Sequence, residues 1–178
     1  NILNSVAAIS VCLNLGIKTN NIKSALLKFT GVQRRMTKIF EKNGNEFYDD
    51  YAHHPTEIYS VLESIKKVAN QKKITSVFQP HRFSRVSLLK KEFSKSFKFS
   101  DRVVLCPIYA AGEKIDKKID LIKFGKMIAL NSNVELIIIK DEENFKNFFK
   151  KNLIKNEIII GMGAGSISNW MRNLKLSL

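Results

Sequence analysis

Apolar residues recur along this chain in two rhythms, and the change from one to the other lays out its elements. Residues 2–15 carry Val6, Ala7, Ile9, Val11, Leu13 and Leu15 at helical spacing, and Gly16 supplies a stop. A second short helix fits 21–29, entered from Thr19 or Asn20 and carrying Ile22, Ala25, Leu26 and Phe29. Gly31 breaks that pattern. Residues 35–41 and 46–51 then read as two strands joined by Asn43-Gly44-Asn45, a hairpin turn.

From there strands and helices alternate. Pro55 suits the first turn of a helix reaching about Val68, with Ile58, Leu62 and Ile65 on one face. Residues 74–78 form a strand, and 84–97 a helix with Leu88, Leu89, Phe93 and Phe97 inward. A strand at 103–106, a helix at 121–130 opened by Asp120, and a strand at 134–139 follow. Asp141 caps a helix bearing Phe145, Phe148 and Phe149, 158–160 is the last strand, and a closing helix carries Ile167, Trp170 and Met171. Short apolar strands alternating with helices predict an α/β, Rossmann-like, mostly parallel sheet covered on both faces, with one antiparallel hairpin strand. The credible domain boundary is near Gly31, giving 1–31 and 32–178.

Composition narrows the class. A chain of 178 residues with 44% hydrophobic content is long and apolar enough to bury a core. No apolar run approaches a bilayer span, so no membrane association is expected, and the start has no signal-peptide pattern. The chain opens on Asn1 inside a helical pattern and reads as a fragment. Cys12 and Cys106 have no metal or CxxC spacing, which predicts two buried free thiols in a reducing cytoplasm. A net charge of +14 suggests polyanion binding taken alone. The lysines are spread among asparagine and isoleucine, however, so a solvated basic surface is preferred to a nucleic-acid face.

Two short stretches hold the chemistry. All three histidines fall between positions 53 and 81. The first stretch is Asp49-Asp50-Tyr51-Ala52-His53-His54-Pro55-Thr56-Glu57, at a strand-to-helix passage where open α/β sheets bind ligands. A carboxylate at Asp50 can accept from a ribose diol, and His53 can position or deprotonate an amine near neutral pH. His54 with Glu57 is read as the cap of the helix starting at Pro55. Asp50 and His53 could share a cation, yet no ligand spacing supports a metal site.

The second stretch is Phe78-Gln79-Pro80-His81-Arg82-Phe83-Ser84-Arg85. Arg82 and Arg85, three apart at a helix start, can face one spot and hold a carboxylate or phosphate, aided by the helix N-terminus. The alternative is a pair of surface arginines tied to acidic neighbours; Pro80, His81 and Phe83 constrain the loop more than a surface turn needs. The run Gly161-Met162-Gly163-Ala164-Gly165 ends the last strand rather than the first, so close packing is its preferred role over phosphate binding. Gly125-Lys126-Met127 lacks the P-loop hydroxyl, and no serine sits in a nucleophile elbow. The phenylalanines lie at core spacing rather than on a base-stacking platform.

These motifs resemble the C-terminal part of the Mur ligase family, specifically its alanine-adding branch. The likeness covers essentially the whole chain. It runs from Asn1-x-x-Asn4 and Gly31-Val32-x-Arg34-Arg35 through the two stretches above to Tyr109-Ala110-Ala111-Gly112-Glu113 and the closing glycines. It implies that residues 1 to about 31 are the last two helices of a central ATPase domain and the remainder a C-terminal domain. It further implies ATP-driven joining of L-alanine to the lactyl carboxylate of UDP-N-acetylmuramate through an acyl phosphate, in peptidoglycan precursor synthesis. Asn1 and Asn4 would contact adenine, Asp50 the ribose, and Arg35 the nucleotide. Tyr51, His53, Arg82 and Arg85 would form the amino-acid side, with His53, Arg82 and Arg85 closest to catalysis. Magnesium ligands and the P-loop would come from other domains, so the segment alone would be inactive. A related ligase that reattaches recycled peptide shares several of these motifs, and a stand-alone basic Rossmann-like module that binds nucleic acid is the reading from another class.

Overall fold

Asn43 and Gly44 both take positive φ, 53° and 78°, as a two-residue hairpin turn matched to strand twist requires. In the computed structural model they join β1 (Thr37–Lys42) to β2 (Asn45–Asp50), and Asn45 already pairs with Lys42. The structure describes residues 2–178. It divides into two compact units, one ending at Gln33 and the other Arg34–Leu178.

The first unit is a helix pair, α1 (Ile2–Asn14) and α2 (Thr19–Lys28). α1 buries no residue and α2 buries only Ile22. The apolar face read from the sequence therefore stays open: Val6, Val11, Leu13 and Leu15 are exposed. Cys12, expected to be buried, is only half-buried, because two helices alone cannot enclose a side chain on all sides.

The second unit is built on one mixed sheet. Its other strands are β3 (Lys73–Phe78), β4 (Arg102–Leu105), β5 (Glu135–Ile138) and β6 (Glu157–Met162), in the order β1-β2-β6-β3-β4-β5. β1 runs antiparallel at the edge and every other pairing is parallel. Register brings Asp50, Met162, Phe78, Leu105 and Ile138 into one row across the sheet. All five parallel strands thus release their chains at the same edge, where ligand sites form on such sheets.

Side-chain alternation splits the core in two. Ile158, Ile160, Val103 and Leu105 join α3 (Pro55–Val68), α4 (Phe83–Ser94) and α5 (Leu121–Ser132) on one face. Ile159, Val104, Val77 and Phe47 join α6 (Glu142–Asn152) and α7 (Ile167–Leu174) on the other. Period-two alternation within apolar strands makes both faces hydrophobic, which is why helices cover each. One expectation fails. α4 ends at Ser94 and is kinked at Leu89 (φ −112°, ψ 18°). Leu88 points to solvent at 79% exposure, being about 200° around the helix from Val86, which faces inward with Phe93, while Phe97 is buried from beyond the helix.

Candidate functional site at the strand ends

β2 and β3 flank β6, so the loops leaving them emerge on either side of the glycine run. The loop after β2 is held by its own neighbours. Asp50 Oδ1 accepts from the Ala52 amide (2.7 Å) and Oδ2 from the Met36 amide (2.8 Å). Glu57 reaches back to accept from the amides of His53 (3.0 Å) and His54 (3.1 Å), so the expected cap of α3 is present. Burial works to raise the Glu57 carboxyl, and those two amides outweigh it, leaving it below the ordinary carboxylate value.

Asp50, expected to meet a ribose, is tied into its own loop. It is 2% exposed, and both oxygens are taken by main-chain amides that shape the loop. Burial is the largest influence on its pKa and moves it upward. These hydrogen bonds make Asp50 a loop former, and each carboxylate oxygen keeps a second lone pair. Arg35 is exposed, with its charge acting on Asp50 and Glu57. Asn4, also exposed, lies in the helix-pair unit along an apolar groove with Ala8, Ile9 and Cys12. Asn1 lies outside the described residues.

The loop after β3 is held from a distance. Gln79 donates from Nε2 to Ser166 Oγ (3.0 Å) and accepts the Ile167 amide at Oε1 (3.0 Å). His81 bridges to Tyr109, whose amide donates to Pro80 O while the Arg82 amide donates to Tyr109 O, both at 2.8 Å. Between them Arg82 is held at φ 71°, ψ 133°, a conformation costing about 1–3 kcal/mol for a residue with a side chain. Arg82 is therefore the N-cap residue of α4 rather than part of its first turn. Glu113 fills the helix N-terminus: it accepts from the Ser84 amide (3.1 Å) and the Ser84 hydroxyl (2.5 Å), which hold its carboxyl below the usual range. The expected help of that terminus to a bound anion is thus already taken by a side chain.

The glycine run is filled space. A Cβ on Gly163 would stand 2.7 Å from Gln79 O, and one on Gly165 would stand 2.5 Å from the Tyr109 ring. Close packing, not a phosphate cradle, accounts for both glycines.

The two loops meet through their rings. Tyr51 and His53 pack edge to face with centroids 5.1 Å apart, His53 and His81 at 5.8 Å, and His81 stacks on Tyr109 at 5.7 Å. His53 Nδ1 lies 2.9 Å from Tyr51 O. A carbonyl only accepts, so Nδ1 carries the proton and Nε2 of the neutral ring has the free lone pair. His81 Nδ1 lies 3.4 Å from Arg85 Nη1. A guanidinium only donates, so the neutral His81 carries its proton on Nε2. Burial, then the charges of Arg85, His53 and Arg82, push the His81 pKa down. Among the described residues no carboxylate lies within ion-pair distance of Arg82 or Arg85. Glu113, bonded to Ser84, is the acidic neighbour whose charge interacts with that of Arg82, without forming an ion pair.

Sequence reasoning treated His81 as a loop constraint and passed over Gln79, Tyr109 and Glu113 as site builders. His81 could have been found, since it lies within the arginine stretch. Glu113 carries no local signal, being 29 residues from the amide it caps.

The family profile "Mur ligase, glutamate ligase domain" covers residues 34–165, and the chain belongs to that family. A UDP-N-acetylmuramate–L-alanine ligase of Pelagibacter ubique is 50% identical over 98% of this chain and 38% of its own length. The ligase of that name from Caldicellulosiruptor saccharolyticus is 39% identical over 94% and 36%. Among solved structures, the UDP-N-acetylmuramate-alanine ligase of Thermotoga maritima superposes with a TM-score of 0.74 at 28% identity, over 99% of this chain and 37% of that one. A murein peptide ligase from Psychrobacter arcticus has the same TM-score of 0.74 at 19% identity, a likeness of fold alone. The chain spans somewhat over a third of the length of these relatives. No helix among the described residues is long and apolar enough to cross a membrane.

Proposed function

We propose that this chain is the amino-acid-binding lobe of an ATP-dependent ligase that joins L-alanine to the lactyl carboxylate of UDP-N-acetylmuramate. Residues up to about 31 would then be the closing helices of the ATP-binding domain. The observation carrying this reading is the junction of two loops at one sheet edge: His53 beside His81, and His81 beside Arg85, with neither Arg82 nor Arg85 in an ion pair among the described residues.

Each group has a task suited to its chemistry. Arg82 and Arg85 supply fixed positive charge and several N–H donors for the alanine carboxylate. The His53 lone pair at Nε2 is available to the alanine ammonium, which must lose a proton before its nitrogen can attack an activated carboxyl. His81, kept neutral by burial and by Arg85, adds no charge to repel that ammonium. Tyr51 forms the wall beside His53. Catalysis by such a lobe rests on holding the amine at the reacting carbon.

ATP and magnesium belong to the parent reaction, and the residues of this chain fit them only at the margin. Asn4 and Arg35 are exposed and could meet a nucleotide. Asp50 holds two main-chain amides and keeps a second lone pair on each oxygen, while the packed glycines leave no room for phosphate. The nucleotide site is accordingly assigned mainly to the rest of the protein, as is any metal site. UDP-N-acetylmuramate, L-alanine and the remaining domains are the partners, and the cytoplasm is the compartment that suits two unpaired cysteines. The 50% identical alanine ligase favours this reading over peptide recycling or nucleic-acid binding.

The test is L-alanine-dependent ADP release by the full-length protein, with Arg82→Ala and Arg85→Met. Loss of one charge-assisted contact should raise the KM for alanine about 10- to 100-fold, leaving those for ATP and the UDP-sugar nearly unchanged. An alanine requirement identical in wild type and both variants would remove the carboxylate assignment.

A further inference from the structure

Arg34 opens the sheet unit at φ 59°, a left-handed conformation unusual for arginine. Its main chain and its side chain serve the same neighbour. Arg34 O accepts the Tyr51 amide (2.8 Å), and the Arg34 guanidinium lies over the Tyr51 ring, 4.7 Å from its centroid. Nη2 of that guanidinium donates to Gly163 O (2.5 Å), the carbonyl just past the end of β6. One side chain therefore spans from the edge of Tyr51 to the glycine run.

Below it lies Asp49, which is fully buried. Asp49 Oδ2 accepts the Ser168 hydroxyl (2.5 Å) and lies 3.8 Å from Arg34 Nε and 3.6 Å from Arg172 Nη2. Arg34 Nε and Asp49 Oδ1 are both buried, without a hydrogen-bond partner among the described residues. A sealed carboxylate with two arginines nearby holds the guanidinium electrostatically, since leaving it uncompensated would be costly. Two orphaned polar atoms, one on each partner of this pair, are a stability loss that core packing does not explain. Their arrangement makes sense if the plane of the guanidinium is what matters, and that plane is the one covering Tyr51.

We propose that Arg34, set by Asp49 and Gly163 O, is a positioning residue for the alanine subsite. It acts through Tyr51, fixing the ring whose edge packs on His53 at 5.1 Å. This rests on the function proposed above and adds to it a residue pair that touches neither substrate. Arg34 keeps the Tyr51 ring from rotating away, and so keeps His53 Nε2 aimed at the amine. Cation–π contact supplies the attraction, and the Gly163 carbonyl supplies the direction.

Two measurements test this separately. In the 178-residue chain, the three histidines give three imidazole Hε1 signals by NMR. Arg34→Gln should shift the His53 signal, leave His54 in place, and speed exchange of the Tyr51 amide; Arg34→Lys, which keeps the charge, should shift His53 less. A His53 signal unmoved in a folded Arg34→Gln chain overturns the proposal. In the full-length protein, Arg34→Gln and Tyr51→Leu should each raise the KM for alanine about tenfold with kcat retained. The double variant should be no worse than Tyr51→Leu alone, because both remove one effect. Multiplying effects, or an equal loss of kcat for every substrate, would show a merely structural role and overturn it. A wild-type protein that releases ADP without regard to alanine would instead sink the functional reading, and with it the alanine half of this one. The NMR result would still decide the link from Arg34 to His53.

Discussion

The loops after β2 and β3 end neighbouring stretches of one sheet edge, yet they are held by opposite means. In the first, Asp50 bonds to Ala52 two residues on, and Glu57 bonds to His53 and His54 within one helical turn. The side-chain bonds are short in sequence apart from that of the Met36 amide, and main-chain bonds of Tyr51 to Arg34 and of Gly163 to Asp50 add the longer-range ties. In the second, Gln79 is held by Ser166 and Ile167, His81 by Tyr109, and the start of α4 by Glu113. Those partners come from 28 to 88 residues away. A locally bonded loop survives the loss of its surroundings, whereas a loop assembled by distant elements depends on all of them. Position and strain follow the same division. Arg82, the most unusual backbone in either loop, belongs to the second, where several elements can enforce it.

Gly165→Ala should break this contrast most strongly. Its Cβ would strike the Tyr109 ring and Gln79 Oε1, at 2.5 and 2.6 Å, and overpacking of that kind costs about 1–3 kcal/mol. Urea unfolding should report the loss, and NMR should show the His81 signal broadened while His54 keeps its shift. Gln79→Ala comes next. It strips the Ile167 amide of its buried acceptor, for about 1–3 kcal/mol, and hydrogen exchange should rise at Ile167 but not at Ala52.

Glu57→Ala tests the other loop and should cost about 1 kcal/mol as a lost cap. The pH dependence follows from the same contact. Because Glu57 has a lowered pKa in the folded chain, its contribution is present above the ordinary value of 4.5 and is lost as pH falls through the folded value. Stability curves for wild type and Glu57→Gln should therefore converge in acid. A constant gap down to the lowest pH would show that charge plays no part.

His81 sharpens the comparison without unfolding anything. Its folded pKa lies below the ordinary 6.5, with burial first and Arg85 second among the causes. The ring should stay neutral at pH 7 and titrate only below that value by NMR. Arg85→Met should move the titration upward, and no movement would remove Arg85 as a cause. The smallest effect is expected from Glu113→Gln, which weakens an exposed contact. The Ser84 amide should exchange faster, with little change in the unfolding midpoint.

Much of the fold was legible in the residues. Pro55 and Val68 mark the true ends of α3, Asn43-Gly44 forms the hairpin turn, and the apolar triplet at Ile158–Ile160 lies within β6, the strand at the centre of the sheet. α4 was read less well, since Leu88 and Leu89 are equally apolar in sequence and only packing shows that the face of Val86 and Phe93 is the buried one. The candidate site divides in the same way. The cap at Glu57 could be read because it works through near neighbours, whereas the meeting of His53 with His81 could not. The bonds that Asp50 makes to the Ala52 and Met36 amides were not legible, because a carboxylate at a strand end looks alike in sequence whether or not it also holds its own loop.

The chain by itself determined which side chains are available and where each strand lets go, because alternation, helical spacing and turn residues are properties of adjacent positions. Only the tertiary structure decided which charges are taken and which stay free. Insertion of β6 between β2 and β3 brings His53 to His81, and the turn ending at Glu113 folds back onto α4 and occupies its N-terminus. Whether a polar group is available depends on the distance to partners far away in sequence, and that distance exists only once the sheet has formed.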